Sequence, residues 1–264
     1  MISIYRAFFQ METSVKAHYR FNMAIWLLGL MVEPVVYMVV WINVAVARGG
    51  TVETYSASDF VVYYLTYIFV RQMGAAPSPY RFARRIQNGE MSMLLLRPLH
   101  PIHGDIAETT SQKLMSLPIL LVMAGGLGLA FHVAFSPPWW AVVTFPLAVV
   151  IAGMLRFSMQ WTLATAAFWT TRLDAVWQIY IICQTFLSGA LAPLPLLPPV
   201  IRATAELLPF RWVFYFPIEL VLGRLSPLEA LQGFALQSLW LLLLMGLSQI
   251  VWKAGLRRYA AVGG

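Results

Sequence analysis

Long apolar stretches alternate with polar connectors along most of this chain. Each stretch is about 20 residues long, which is the length that a helix needs to cross a hydrocarbon layer of roughly 30 Å. The pattern therefore predicts an all-α polytopic membrane protein with six transmembrane helices. The predicted spans cover about residues 22–46, 59–76, 113–135, 139–170, 174–192 and 230–252.

The first residues, 2–21, differ from the spans. Apolar side chains at helical spacing, from Ile4 to Tyr19, fall on one stripe, whereas charged side chains such as Arg6 and Lys16 fall on the opposite side. A helix of this kind lies in the membrane interface. Because charged residues interrupt the segment, it lacks the apolar core of a cleavable signal peptide, and we expect none.

Two connectors are longer than the others. Residues 77–112, named here the polar connector, carry seven charged side chains and cannot lie in lipid. Residues 193–229, named here the proline-rich segment, carry seven prolines amid apolar side chains. Since an interior proline removes a backbone hydrogen bond, one continuous membrane helix is excluded there. We predict instead short re-entrant helices that dip into the outer leaflet and return.

The basic residues predict the orientation of the six spans. An even number of spans puts both termini on one side, and cytoplasmic loops carry the excess of Lys and Arg. With cytoplasmic termini, only Arg48, Arg202, Arg211 and Arg224 lie outside, and Arg71 and Arg156 lie within spans. The remaining basic residues are then cytoplasmic: Arg6, Lys16, Arg20, Arg81, Arg84, Arg85, Arg97, Lys113, Arg172, Lys253, Arg257 and Arg258.

Composition agrees with a membrane location. The 264 residues are 60% hydrophobic and 11% charged, against about 45–50% apolar and 25% charged in soluble domains. We interpret residues 1–264 as a single transmembrane domain. The net charge of +7 follows from the orientation, and because no basic face is interleaved with aromatic residues, we expect no nucleic acid partner. The lone Cys183 cannot form an internal disulfide.

Motifs for catalysis are missing from the sequence. It contains neither the G-x-x-x-x-G-K-[ST] phosphate loop nor an H-E-x-x-H zinc pair, and its four histidines occupy three separate segments. Ser188 has no histidine nearby in sequence that could act as its base. We therefore expect a chain that is not an enzyme and that holds no metal or cofactor of its own.

Charged residues inside spans are costly and suggest function. For Glu33 two alternatives remain open. It is either a structural carboxylate, paired with an Arg of a neighbouring span or hydrogen-bonded beside Pro34, or it lies on a substrate path. Arg71 lies near the end of its span and can extend to the interface. Four aromatic side chains either line the same path or simply pack between helices: Trp161, Trp169, Trp177 and Phe186.

One motif in the polar connector resembles a known family. The run Ile86-Gln87-Asn88-Gly89-Glu90, followed by Leu94-Leu95-Leu96-Arg97-Pro98-Leu99, is similar to the first intracellular loop of exporter-type (type-two) ABC permeases with six compact spans. The resemblance extends over nearly the whole chain. Further matching positions are Ser188-Gly189, Leu208-Pro209-Phe210, Pro217, Gly223, the run from Trp252 to Tyr259, and Gly263-Gly264.

This resemblance implies a permease subunit of an ATP-driven exporter in the bacterial or archaeal cytoplasmic membrane. It implies a dimer of two permeases, identical or related, bound to two copies of an ABC ATPase subunit that carries the ATP and Mg. Residues 2–21 match the family's interfacial connecting helix, and the proline-rich segment matches the helices that cap the outer end of the path. The implied partner-coupling residues are Arg84, Arg85, Ile86, Asn88, Gly89, Glu90, Leu94, Leu95, Leu96, Arg97 and Pro98.

The residues of this motif agree with a docking role. Gly89 can end a helix in the left-handed conformation, and Met91, Met93 and Leu94 to Leu96 then form an apolar knob that ends at Pro98. An apolar knob exposed to the cytoplasm favours binding of a partner. The alternative is that these side chains fold back on the bilayer surface.

A second function class also remains open. A proton- or ion-coupled carrier working alone would use Glu33 as its titrating group. Carriers usually contain paired halves with interrupted helices in both, and no internal repeat is visible in this sequence. The sequence does not identify the substrate, since apolar drugs, lipids, glycolipids and peptides would all suit an aromatic, weakly charged path.

Overall fold

The computed structural model describes residues 20–131, 136–170 and 173–259, and helices dominate this part of the chain. Three short 3₁₀ turns, at 165–168, 194–196 and 209–212, accompany the α-helices. The α-helices are α1 Arg20–Ala47, α2 Ala57–Met73, α3 Pro79–Gln87, α4 Glu90–Leu95, α5 Ile102–Ala130, α6 Trp139–Ala164, α7 Leu173–Leu187, α8 Pro199–Leu207, α9 Tyr215–Val221 and α10 Pro227–Leu256. The predicted all-α membrane fold is confirmed.

Four described helices are long and apolar enough to cross a bilayer: those that contain Leu27–Ala47, Ile102–Ala130, Trp139–Phe168 and Pro227–Leu256. The helices at the second and fifth predicted spans are shorter. α2 has 17 residues and α7 has 15, which at 1.5 Å per residue gives about 26 Å and about 22 Å. The count of six spans and the cytoplasmic position of both termini therefore stay predictions.

The structure differs from the sequence prediction in the start of one helix and in one short hairpin. The third span was expected to begin at residue 113, but α5 begins at Ile102, inside the polar connector. Polar residues fill its first turns, so the helix extends beyond the apolar stretch from which the span was predicted. A two-stranded hairpin, Thr51–Val52 with Tyr55–Ser56, also forms between α1 and α2 and was not predicted. The predicted interfacial helix lies outside the described residues, apart from its last two positions, which belong to α1.

Helix α2 lies at the centre of the protein and packs against α1, α5, α6 and α9. Its aromatic side chains Phe60, Tyr63 and Tyr64 are fully buried. They continue into a series of edge and stacked ring contacts that includes Tyr55 and Tyr67, with centroids 5.4–6.4 Å apart. Since protein rather than lipid surrounds it, this helix tolerates tyrosines and a buried Gln72 that a lipid-facing helix would not.

The proline-rich segment consists of short helices, as its prolines predict. Pro199 and Pro209 each lie in the first turn of a helix, where the missing amide hydrogen costs nothing. Ser226 caps α10 in a capping box with Glu229. The depth of these helices in the bilayer, and hence their re-entrant character, stays a prediction.

A buried amide joins the proline-rich segment to two long helices. The side-chain nitrogen of Gln237, on α10, donates to the carbonyl oxygen of Ala148 on α6 at 3.1 Å and to that of Trp212 at 2.9 Å. One turn earlier on α10, Gly233 packs directly on the Phe216 ring. Only glycine fits there, because a Cβ atom would overlap that ring.

Candidate functional site

The residues of the polar connector that match the permease motif form a helix, a tight turn and a second short helix. α3 begins at Pro79 and ends where the amide of Asn88 donates to the Arg84 carbonyl at 2.9 Å. Gly89 follows with φ of +73°, and α4 begins at the next residue. The prediction that Gly89 ends a helix in the left-handed conformation is confirmed.

The apolar knob is smaller than the sequence suggested. Met93 and Leu95 are exposed, and Leu96 is 87% exposed. Met91, in contrast, is fully buried against the rings packed beneath the connector, and Leu94 is half-buried. The knob assignment was wrong for Met91, because α4 turns that side chain inward. The exposed apolar surface consists of Met93, Leu95 and Leu96.

An ion pair fixes α3 to the start of α5. Nη2 of Arg85 lies 2.8 Å from Oδ1 of Asp105, a carboxylate that is only 2% exposed. The indole nitrogen of Trp161, on α6, donates to Oδ2 of the same carboxylate at 3.3 Å. A second, more exposed ion pair joins Arg81 to Glu108. Two ion pairs therefore hold α3 to α5, and the Asp105 carboxylate is in turn hydrogen-bonded to α6.

The other predicted coupling residues lie around the same unit. Arg84, Asn88, Glu90, Arg97 and Pro98 are exposed, whereas the side chain of Ile86 is half-buried. A cavity of about 130 Å³ lies beside them. It is lined by Arg81, Arg85, Leu94, Arg97, Leu99, His100, Pro101, Gly104 and Glu108.

An aromatic cluster packs against the polar connector beside this unit. The Trp252 ring, near the end of α10, lies 4.6 Å from His100 and 5.1 Å from Trp161. Phe82 of α3 contacts both tryptophans edge-on. Partial burial of its ring against this cluster lowers the pKa of His100.

The four aromatic side chains proposed for a substrate path occupy different places. Trp161 is 2% exposed and lies inside the aromatic cluster. Trp177 stacks on Tyr180 at 5.2 Å, while Trp169 and Phe186 are exposed. In the described part of the chain no ring contact joins any two of the four. The structure therefore does not bring them together, and a role in a path stays a prediction.

Glu33 forms an ion pair, as one of its two alternatives predicted. Nη1 of Arg71 donates to Oε2 of Glu33 at 2.9 Å, and the Tyr37 hydroxyl lies 3.4 Å from Oε1. The second arginine within the predicted spans, Arg156, donates to the carbonyl oxygen of Arg71 at 2.9 Å and lies over the Phe214 ring. Both arginines thus have partners among the helices around α2.

Comparison with known families agrees with this geometry. The sequence pattern of the family described as "ABC-2 family transporter protein" matches residues 31–263. The chain belongs to the ABC-2 transporter family. Subunits of this family are membrane permeases that generally transport rather than catalyse, and they work with ATPase subunits. None of the curated proteins compared with the chain matches it.

The match extends through the parts of this ABC-2 permease that carried the resemblance. Residues 31–263 include the motif in the polar connector, the proline-rich segment and the closing run from Trp252 to Tyr259. The resemblance to type-two ABC permeases is therefore confirmed, and so is the membrane location of the chain.

Sequence reasoning missed a second polar cluster in this ABC-2 permease. Glu219, on α9 in the proline-rich segment, is 4% exposed, and the Tyr55 hydroxyl donates to it at 2.9 Å. Burial raises the pKa of Glu219 to about 7, against the lowering effect of nearby Arg224. The available signal was a lone carboxylate in an apolar run between prolines, which is costly unless it is paired.

Proposed function

We propose that this ABC-2 family chain is the permease subunit of an ATP-driven exporter and that its α3–α4 unit binds a separate ATPase. The observation that carries the proposal is the shape of this unit. Met93 and Leu95 project from α4, and the exposed Leu96 follows directly at the end of that helix. Exposed apolar groups on a polar connector mark a protein interface.

The contacts beneath the α3–α4 unit support a mechanical role. The pair between Arg85 and Asp105 connects α3 with α5, and the hydrogen bond from Trp161 extends the connection to α6. A displacement of the unit by a partner would be passed to both long helices. In the proposed cycle, the ATPase closes on ATP and Mg and pulls the unit, and the helices tilt to open a path outward.

The proposed assembly contains two permeases and two ATPase subunits. The second permease is either a copy of this chain or a related one, and the path runs along their interface. ATP and Mg bind the ATPase, since the sequence of this chain lacks a phosphate loop. We place the assembly in the cytoplasmic membrane of a bacterium or archaeon, with the polar connector facing the cytoplasm.

The test is co-purification of the ATPase with a variant of the apolar surface. Leu96→Glu places a charge at the centre of that surface, so the ATPase should be lost from the purified permease. Leu207→Glu is the matched control, because Leu207 is 76% exposed on another short helix, α8. The control should retain the ATPase at the same ratio as the unaltered chain.

The comparison also separates the two function classes. ATP-driven export that is unchanged by Leu96→Glu would contradict the role given to this unit. Transport by the chain alone, driven by a proton gradient and abolished by Glu33→Gln, would support the carrier hypothesis instead.

A further inference from the structure

The end of α2 crosses α6 at a close contact between two glycines. A Cβ atom on Gly153 would lie 3.3 Å from the Met73 carbonyl oxygen and 3.7 Å from the Cα atom of Gly74. The same atom would lie 3.5 Å from Nζ of Lys113, which comes from α5. The crossing therefore brings three helices together around small residues and one ammonium group.

A second cation lies at the same crossing. A Cβ atom on Gly74 would lie 3.6 Å from Cδ and 3.8 Å from Nη1 of Arg156. Lys113 and Arg156 thus lie within a few ångströms of the same two glycines. Both side chains are only partly exposed, so water screens their mutual repulsion weakly.

No carboxylate of the described chain neutralises these two cations. Glu33 lies on the neighbouring helix α1, but its carboxylate is already paired with Arg71 of α2 at 2.9 Å. Arg156 uses Nη1 to bind a backbone carbonyl, while its Nε atom is buried without a hydrogen-bond partner. Among residues 20–131, 136–170 and 173–259, neither Lys113 nor Arg156 forms an ion pair. The site therefore carries two excess positive charges.

Two uncompensated cations among packed membrane helices are unfavourable unless an anion joins them. The position of the two cations along the chain indicates the source of such an anion. Gly74 ends α2, and Pro77 begins the polar connector three residues later. The cations thus lie near the end of a predicted span, which is the level of lipid headgroups. An Arg and a Lys side by side suit a phosphate group. The Arg guanidinium offers forked hydrogen-bond donors to the phosphate oxygens, and the Lys ammonium offers a compact positive charge.

We propose that Lys113 and Arg156 form a binding site for a phosphate group, carried by the headgroup of an anionic amphiphile. Within the proposed exporter, on whose orientation the inference rests, this places the site at the inner end of the helices. Arg156 stays oriented by its bond to the Arg71 carbonyl, and Lys113 supplies the second charge. A phosphate-bearing headgroup is then the chemical class that the permease recognises at this point.

The test is lipid binding by the full-length chain in a neutral detergent. Phosphatidylglycerol, phosphatidylcholine and inorganic phosphate are added separately, and the shift in the thermal unfolding midpoint gives the affinity of each. Phosphatidylglycerol should raise the midpoint and phosphatidylcholine should have a much smaller effect. Lys113→Gln should weaken phosphatidylglycerol binding about tenfold, the effect of losing roughly 1.4 kcal/mol. Lys113→Arg, which keeps the charge, should retain binding.

Lys253→Gln is the matched control, because Lys253 is an exposed lysine at the end of α10. It should leave binding unchanged.

Equal binding of phosphatidylglycerol by Lys113→Gln and by the unaltered chain would overturn the proposal, and so would equal binding of phosphatidylcholine. Saturation by inorganic phosphate alone would support the phosphate site and identify free phosphate as its source. Co-purification of the ATPase with Lys113→Gln separates the two proposals, since it tests the exporter assignment and is independent of lipid binding.

Discussion

The Tyr55 hydroxyl donates a hydrogen bond of 2.9 Å to Oε1 of Glu219 and so joins the hairpin after α1 to α9. Both side chains are buried. The guanidinium of Arg224 lies 3.8 Å over the Tyr55 ring and binds Asp59, at the start of α2, at 3.0 Å. A carboxylate in the proline-rich segment is thus enclosed by residues from three parts of the chain.

This enclosure predicts a pH-dependent stability. Burial raises the pKa of Glu219 to about 7, from its usual 4.5. Between these two values the folded chain keeps a proton that the unfolded chain has released. The free energy of unfolding should therefore fall as the pH rises from 4.5 to about 7 and level off above that. The total fall is roughly 3 kcal/mol, measurable by denaturant unfolding in detergent micelles.

Glu219→Gln should abolish this fall, because the amide does not titrate. The control is Glu53→Gln, which changes an exposed glutamate of the same hairpin region and should leave the pH dependence in place. A Glu219→Gln variant that still loses stability across the window would show that another group is responsible.

Asp105→Asn should destabilise the protein strongly. The change leaves Arg85 largely buried without its counter-charge, and the loss of one partner of a buried pair costs about 3 kcal/mol or more. Denaturant unfolding checks the value. Arg84→Gln alters an exposed neighbour on α3 and should shift stability by at most about 0.5 kcal/mol. Replacing both partners, Arg85→Met with Asp105→Leu, should recover much of the loss; a double variant as unstable as Asp105→Asn would argue against the ion pair.

Gly233→Ala should disturb the packing of α10 on α9. The new methyl group would overlap the Phe216 ring, and such overpacking costs about 1–3 kcal/mol. The matched control is Gly246→Ala on the same helix, where a Cβ atom meets nothing within 4 Å. It should leave stability unchanged or raise it by up to ~1 kcal/mol. Thermal unfolding of both variants makes the comparison, and Phe216→Leu added to Gly233→Ala should restore part of the loss.

Local features of the sequence predicted the backbone well where one residue decides the conformation. Gly89 indicated a left-handed helix end, and the prolines at 199 and 209 indicated breaks in the proline-rich segment. The long apolar helices were also predictable, since their length follows from the bilayer. These signals depend only on neighbouring residues along the chain.

Contacts between distant segments were less predictable. Helix α5 begins eleven residues before the predicted span because its polar first turns pack against α3 and α6 rather than lipid. No local pattern indicated that Asp105 would pair with Arg85, or that Met91 would turn inward. The Glu33 pair was foreseen only as one of two alternatives, because hydropathy does not show which helices become neighbours.

The hydrogen bonds of Gln237 constrain how such a permease can open. Its single amide group holds α6, α10 and the turn before α9 together, in an interior where water cannot replace a broken bond. We therefore expect these three elements to move together during transport. We then expect bending outside these contacts, beside Gly189, which lies before the Trp212 turn and has a φ of +85°.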